Sequence, residues 1–318
     1  MELKDYKIAW FTEGNWTGEV PRDHPNRRND VSWMHALNAT HYPVTNIPDD
    51  EFDLGIITVP KNTPVFDFEK IKRVCKKVAM MQEGPHWYFQ DYTMEQQIWF
   101  YNTIADVDFI FCHNEIDKKY YEGVTNKRCY IMPALMITDD IVPRNEWSDA
   151  VIIGGNMVRW YGGFDSYLVA QQFDMPICAP SMGRKIERED ELDITHLPYM
   201  TWVEWLHALS QFHVGVHLMP TWAAGTFTLN CAFHGIPCIG YIGLDTQTIC
   251  HPMLSVESGD VKSAMRLATQ LKDDSSFYEE CSTTARDNYE SSLFVEENFM
   301  PYITEIIEKE IKWTNHLT

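Results

Sequence analysis

Residues 221–241 read TWAAGTFTLNCAFHGIPCIGY. The stretch contains no Lys, Arg, Asp or Glu, in a 318-residue chain that is 23% charged. Within it, FTLNCAFHG (227–235) has helical spacing, with apolar residues at 227, 229, 232 and 233. Gly235 stands where a left-handed residue closes a helix, and Ile236-Pro237 blocks continuation. At the other end, Gly225-Thr226 opens the helix, where backbone amides point outward and the dipole favours an anion. A buried structural helix would be just as neutral. The segment alone therefore allows two readings, a packed helix or a platform for a phosphorylated ligand.

Outward from this stretch, the chain alternates short apolar runs with amphipathic ones. YKIAWFT (6–12), FDLGIITVP (52–60), KKVAMMQ (76–82), VDFIFCH (107–113) and RCYIMPA (128–134) read as strands buried on both faces. Helices are predicted over 29–39, 68–77, 94–105 and 114–124. ITDDIVPRNEWSD (137–149) is polar and aperiodic, the best linker. The alternation then restarts: strand AVIIGGN (150–156), helix 164–173, strand 176–180, the acidic loop RKIEREDELD (184–193), helix 201–211 and strand 214–220. After the quoted stretch come strand 237–243 and helix 261–271, and a final helix is expected to begin near Pro301. The pattern predicts an α/β chain of two doubly wound Rossmann-like domains facing a cleft. Residues 1–145 would form the first domain and 146–300 the second, with the helix at 301–318 crossing back to the first.

Composition narrows the function. The net charge is −20, with −6 in residues 1–145 and −14 beyond, a field that repels polyanions. Eight cysteines without a Cys-x-x-Cys pair read as buried thiols in a reducing cytoplasm. No run is long enough to span a membrane, and MELKDYKIAW has no signal-peptide core. Eleven tryptophans suit sugars and bases, although most tryptophans are core.

A strand ending in Pro, a small-residue Gly loop, and a helix closing on HGIPCIG together resemble the second domain of GT-B glycosyltransferases of the family 4-like group. The order of elements along most of the chain is similar too. In that family the helix amino terminus holds the diphosphate of a nucleotide sugar, and an acid in the helix binds the ribose. The resemblance implies that Gly225, Thr226, Gly155 and Arg159 hold the diphosphate of a donor, most readily a UDP-sugar, with Gly14 also on the donor side. Asn230 would take the ribose, and Tyr199 and Met200 would lie near the base. The chain departs from the family where its two acids stand: here they are Trp222 and Asn230. The Lys that usually precedes the phosphate-loop glycine is Tyr161, which leaves Arg159 as the local cation.

Candidate catalytic groups follow strand ends in the first domain: Glu13 after the first strand, and Glu83 and His86 after the third. His113 and Glu115 are weaker candidates in a loop that can cap a helix. The loop 14–30, with Trp16, Arg22, His24, Arg27 and Arg28, suits a sugar-like or anionic acceptor. Lys70, Arg73 and Lys77 are expected on one helical face. Asp106-Val-Asp108 mimics a metal-binding DxD, but it precedes a strand and reads as a strand-start cap, so no metal or other cofactor is required. Three alternatives stay open. One is a donor- or glycan-binding module without turnover, suggested by the missing acids. Another is a phage-type enzyme that glucosylates DNA bases, suited by the basic patches but disfavoured by the net charge. The last is a nicotinamide oxidoreductase, for which GGNMVRWYGG lacks the G-x-G-x-x-G spacing.

Overall fold

The structure is a computed structural model that describes residues 3–62, 65–144, 146, 148–155, 157–180 and 186–313. Asn145 and Trp147 of the predicted linker, Asn156 of the strand segment, and Arg184 and Lys185 of the acidic loop lie outside the described residues. The chain divides into two compact units. Unit 1 comprises Met1–His24, Arg28–Ile137 and Glu296–Thr318, and unit 2 comprises Pro25–Arg27 and Thr138–Val295.

In unit 1 seven strands form one sheet: β1 (Ile8–Thr12), β2 (Gly18–Glu19), β3 (Thr40–Pro43), β4 (Phe52–Val59), β5 (Cys75–Gln82), β6 (Phe109–Cys112) and β7 (Arg128–Ile131). Their order is β2-β3-β1-β4-β5-β6-β7, parallel throughout except for the short edge strand β2. Strand alternation sends side chains to two separate cores. Ile8, Trp10, Leu54, Ile56, Ala79, Met81, Phe109 and Phe111 pack on one face, with Trp33 and Met34 of α1 (Asp30–Ala36). Ala9, Phe11, Ile57, Val59, Val78, Met80 and Ile110 pack on the other. There they meet α2 (Phe68–Val74), α3 (Met94–Asp106) and α4 (Glu115–Val124) through Phe68, Ile71, Phe100, Ile104 and Tyr121. Thr93 and Gln96 close a capping box on α3, and Asp67 and Asn114 cap α2 and α4.

Helix α2 stops three residues short of its predicted end. Cys75 is paired with Phe52 and buried, so it starts β5 and takes Lys77 into the strand, away from the face of Lys70 and Arg73. Lys70, Lys72, Lys76 and Lys77 each pair with a carboxylate: Asp49, Asp106, Asp53 and Asp108. Asp108 also accepts from the Val78 N–H at 2.8 Å, which pins the start of β6 to β5.

Unit 2 carries six parallel strands: β8 (Val151–Ile153), β9 (Ile177–Ala179), β10 (Thr195–His196), β11 (Val214–His217), β12 (Cys238–Tyr241) and β13 (Ser255–Val256). Their order is β10-β9-β8-β11-β12-β13. The connecting helices are α5 (Gly163–Ala170), α6 (Trp202–Leu209), α7 (Thr226–Phe233) and α8 (Asp245–Cys250), followed by α9 (Val261–Asp273) and α10 (Ser275–Ser291). Val151, Ile153, Val214, Val216 and Ile239 meet Val169 of α5, Ala264 and Ala268 of α9, and Tyr278 of α10 in one core. The last helix, α11 (Glu296–Lys312), returns to unit 1 and places Phe299, Ile303, Ile306 and Ile307 on the face that holds α1. It starts five residues before Pro301. The proline lies inside the helix, just past the first turn, where one intrahelical bond is forgone. All eight cysteines are unpaired, and all but Cys178 are buried. Among the described residues no helix is long and apolar enough to cross a membrane.

Candidate functional site

In an open parallel sheet, ligands gather at the carboxyl ends of the strands where the strand order reverses. In unit 1 the chain runs from β1 outward to β3 and then back past β1 to β4, so that point lies between β1 and β4. Glu13 follows β1 directly, Lys61 stands two residues beyond β4, and Glu83 and His113 directly follow β5 and β6. Lys61 Nζ donates to Glu83 Oε1 at 2.7 Å. Asp30, at the start of α1, shares their field. Desolvation raises its carboxyl from 3.8 to about 7; Glu83 and Glu13 push it upward, and Lys61 and Arg28 oppose them. His41 of β3 has no solvent contact, donates through Nδ1 to Trp16 O at 3.0 Å and stacks on the Trp16 ring at 4.0 Å. Its Nε2, Gln82 Oε1 and His113 Nδ1 are buried without a hydrogen-bond partner among the described residues. Burial lowers the pKa of both histidines, which favours neutral rings with a lone pair available. Acceptors, a carboxyl that titrates near neutrality and a Lys therefore line the ends of neighbouring strands, an arrangement suited to hydroxyl groups.

His86 opens a 3-10 turn (His86–Asp91) after the Glu83-Gly84-Pro85 bend. Its Nδ1 lies 2.7 Å from Asp117 Oδ1, and its backbone N–H donates to the same oxygen at 3.1 Å. Asp117 is 2% exposed on α4 and accepts from Asn114 Nδ2 at 3.1 Å through Oδ2. Of the acceptor candidates, Trp16 is 40% exposed and His24 half-buried. Arg22 pairs with Glu296 at 2.9 Å. Arg27 is 4% exposed and pairs with Asp140 at 2.6 Å, so its charge is taken up inside unit 2.

In unit 2 the strand order reverses between β8 and β11. Gly154 and Gly155 follow β8, and the chain after β11 passes close by. A Cβ on Gly154 would collide with the His217 ring, and one on Gly162 with the Leu218 carbonyl oxygen. Gly162 has φ 64° and starts α5. Between these glycines a short 3-10 turn (Arg159–Tyr161) presents an exposed Arg159, which has no ion-pair partner among the described residues. Across the switch point, Gly225 takes φ 69° as the N-cap of α7, and its carbonyl accepts from the hydroxyls of Thr228 at 3.0 Å and Thr246 at 2.9 Å. The first turn of α7 contains no acid. Its amides lie outside the intrahelical ladder.

Beneath the loop, His217 is 4% exposed, and neither ring nitrogen has a partner among the described residues. Burial lowers it to about 4, so it is neutral at pH 7. Asn230 is 2% exposed, with Oδ1 unpartnered among the described residues. Trp222 is fixed by a bond from Nε1 to Ile242 O at 3.2 Å. Tyr199 is 79% exposed beyond edge strand β10. Glu13 and Gly14 are exposed and belong to unit 1; Gly155, Arg159, Gly225 and Thr226 belong to unit 2, around its switch point. Among the described residues no group of three or more His, Cys, Asp or Glu could hold a metal ion.

Sequence reasoning did not pick out Asp30, Asp117, His41 or His217. Asp30 and Asp117 sit in first helical turns, where an acid already has a capping explanation. His217 lies in a predicted strand, where it reads only as core, and His41 lies in a short strand without an apolar run to mark it.

No protein-family profile matches the sequence. No curated protein matches it either. Solved structures do match. The sucrose-phosphate synthase of Thermosynechococcus elongatus aligns over 95% of this chain and 98% of its own, with a TM-score of 0.68 and 10% identity. HepE of Anabaena, solved with UDP and glucose, aligns over 96% of this chain and all of its own, with a TM-score of 0.67 and 8% identity. The pneumococcal O-GlcNAc transferase GtfA, solved with UDP and GlcNAc, aligns over 82% of this chain and 57% of its own at a TM-score of 0.59 and 12% identity. With its two parallel-sheet units, the chain has the GT-B glycosyltransferase fold.

Proposed function

We propose that this protein moves a sugar from a nucleoside-diphosphate sugar, most readily a UDP-sugar, to a hydroxyl-bearing acceptor. The observation that carries the reading is the switch point of unit 2. Glycines bring two loops into contact there, α7 starts without an acid, and Arg159, exposed and without an ion-pair partner among the described residues, stands in the same loop. Amides of Thr226 and its neighbours, with Arg159, would offset the charge of the leaving diphosphate without a metal ion. Tyr199 would stack on the base, and Asn230 would bond the ribose. The same fold holds UDP and glucose in HepE and UDP and GlcNAc in GtfA, which supports the donor class. On this reading residues 146–300 carry the donor, and residues 1–145 handle the acceptor through Glu13, Asp30, Glu83 and His86. The buried thiols fit a cytoplasmic setting.

A second reading, donor binding without turnover, draws on Trp222 and Asn230 standing where the resembling family has acids. One experiment separates the two. UDP-glucose and UDP-N-acetylglucosamine at 100 times the dissociation constant are expected to add about 2.7 kcal/mol of stability. Arg159→Ala is expected to weaken that shift. Release of UDP from the bound donor supports transfer, and a shift without release supports the binding module. No shift with any nucleotide sugar on folded protein would overturn both.

A further inference from the structure

We propose that Asp30 selects an acceptor bearing an amino group, so that the hydroxyl-bearing acceptor of the reading above, on which this inference rests, is an amino sugar or related amino polyol. Asp30 opens α1 and keeps solvent contact, yet its carboxyl has no hydrogen-bond or ion-pair partner among the described residues. An acid that served only its helix would bond the first amides or stand in open solvent. Asp30 stands instead among the groups at the strand ends. Glu13 follows β1 and Glu83 follows β5, while Lys61 follows β4 and Arg28 precedes α1, so three carboxylates face two cations. Lys61 is already committed, with Nζ 2.7 Å from Glu83 Oε1 and 5.6 Å from the centre of the Tyr88 ring.

Two buried side chains at the same strand ends call for a hydrogen-bond donor. His113 Nδ1 and Gln82 Oε1 have no partner among the described residues, and the two residues are 8% and 4% exposed. His113 stacks on Trp33 of α1 at 5.8 Å and feels the charges of Glu83 and Lys61, as Asp30 does. Burial lowers its pKa, so the ring is neutral and keeps a lone pair. An ammonium brings three N–H donors and a positive charge. It bonds the Asp30 carboxylate and offsets the acid that Lys61 and Arg28 leave uncompensated. A hydroxyl supplies the bond without the charge, and an anionic acceptor adds to the repulsion. Burial and the two neighbouring acids hold the free Asp30 carboxyl at about 7, and an ammonium beside it favours the anion. Amine binding therefore releases the Asp30 proton. It strengthens as pH rises through the titration of Asp30 and weakens once the amine loses its own proton.

Glucosamine, N-acetylglucosamine and glucose are the probes, since they share a ring and only the first carries an ammonium. The side-chain 13C carboxyl resonance of Asp30 in the labelled full chain, assigned through Asp30→Asn, reads its titration directly. Saturating glucosamine is expected to lower the midpoint by about one unit or more, and the two neutral sugars to leave it in place. With UDP-glucose or UDP-N-acetylglucosamine, whichever shifts the melting temperature, UDP release at pH 7 is followed against each probe. Its kcat/KM is expected to be about tenfold or more higher for glucosamine than for glucose, the value of one hydrogen bond between charged groups. Asp30→Asn, which removes a buried charge and is expected to fold, should bring the two within about threefold. An Asp30 midpoint that glucosamine does not move overturns the proposal, as does a glucosamine preference that survives in Asp30→Asn. Equal turnover with glucosamine and glucose overturns it while the transfer reading stands. If no nucleotide sugar binds while glucosamine still lowers the midpoint, the transfer reading has failed, and the acceptor role of Asp30 fails with it.

Discussion

At the scale of single residues, Asp30 is a carboxyl held where it destabilises the fold. Its pKa stands at about 7, against 3.8 for an unburdened Asp, because burial and the Glu83 and Glu13 carboxylates oppose its charge more than Lys61 and Arg28 favour it. A folded pKa raised above the unfolded one means the proton is held more tightly in the fold. The resulting stability is complete below about 3.8 and is lost as pH rises to about 7. At 1.36 kcal/mol per unit, that is of order 2–4 kcal/mol, with the lower end set by the solvent contact Asp30 keeps. Asp30→Asn is therefore expected to stabilise the protein by that order at pH 8 and to leave it nearly unchanged below pH 4. Urea unfolding at pH 4, 6 and 8 reads this directly, and parallel pH dependence in both proteins would reject the buried-acid account. Near neutrality the carboxyl is divided between acid and anion, so it can both donate to and accept from a polyol. None of this is visible along the chain. Asp30 reads as an acid in a first turn, and its pKa comes first from burial and then from residues 13, 61 and 83, which the sheet order brings near it, with Arg28 its neighbour in the chain.

At the scale of elements, legibility followed burial on both faces. IAWFT, FDLGIITV and FIFC are dominated by apolar residues, with only Thr12, Asp53 and Thr58 polar, so their strands and their parallel sheet could be read from composition. β3 (THYP) is polar at two of four positions and carries no strand signal in the sequence, though His41 and Pro43 are buried. α10 was missed because SSFYEECSTTARDNYES is mostly polar, and only Tyr278, Cys281, Ala285 and Tyr289 mark its buried stripe. The tight loops after β8 and β11 were legible in outline from Gly154, Gly155 and Gly225. The tightest position, Gly162, was not, because its constraint is the Leu218 carbonyl of another loop. Gly162→Ala meets both a φ of 64° and that oxygen, and is expected to cost about 2 kcal/mol or more and to weaken nucleotide-sugar binding. Gly123, inside α4 with open space around its Cα, is the opposite case. Gly123→Ala is expected to stabilise by about 0.5–1 kcal/mol through helix propensity. Thermal melts of the two variants settle the matter. Equal and small effects would mean that the loops after β8 and β11 are not locked together.

At the scale of the whole molecule, unit 1 is not made from one stretch of chain. After Ile137 the chain builds unit 2 and comes back only at Glu296. The returning α11 seals one face of the first sheet. Phe299, Ile303 and Ile307 have no solvent contact, and Ile306 is 8% exposed. At about 1.5–3 kcal/mol for each large side chain, the four contribute roughly 6–12 kcal/mol, comparable with the 5–15 kcal/mol by which a typical domain is stable. Glu310 adds a buried anchor. Its carboxylate accepts from Arg128 Nε at 2.6 Å, from Arg128 Nη2 and from Tyr130 OH at 2.6 Å, and these bonds tie the end of α11 to β7. A chain ending at residue 295 therefore leaves the α1 face of the sheet open along Trp10, Leu54, Ile56 and Phe109, while the core of unit 2 is complete. Such a truncation is expected to lose amide protection in β1, β4, β5 and β6 and to keep it in β8, β11 and β12. Ile303→Ala in the full chain is expected to destabilise unit 1 by about 2–5 kcal/mol. Hydrogen exchange read strand by strand distinguishes the outcomes. Full protection of β1 and β4 in the truncated chain would mean that unit 1 folds without α11 and that the crossing helix is a late addition to its stability.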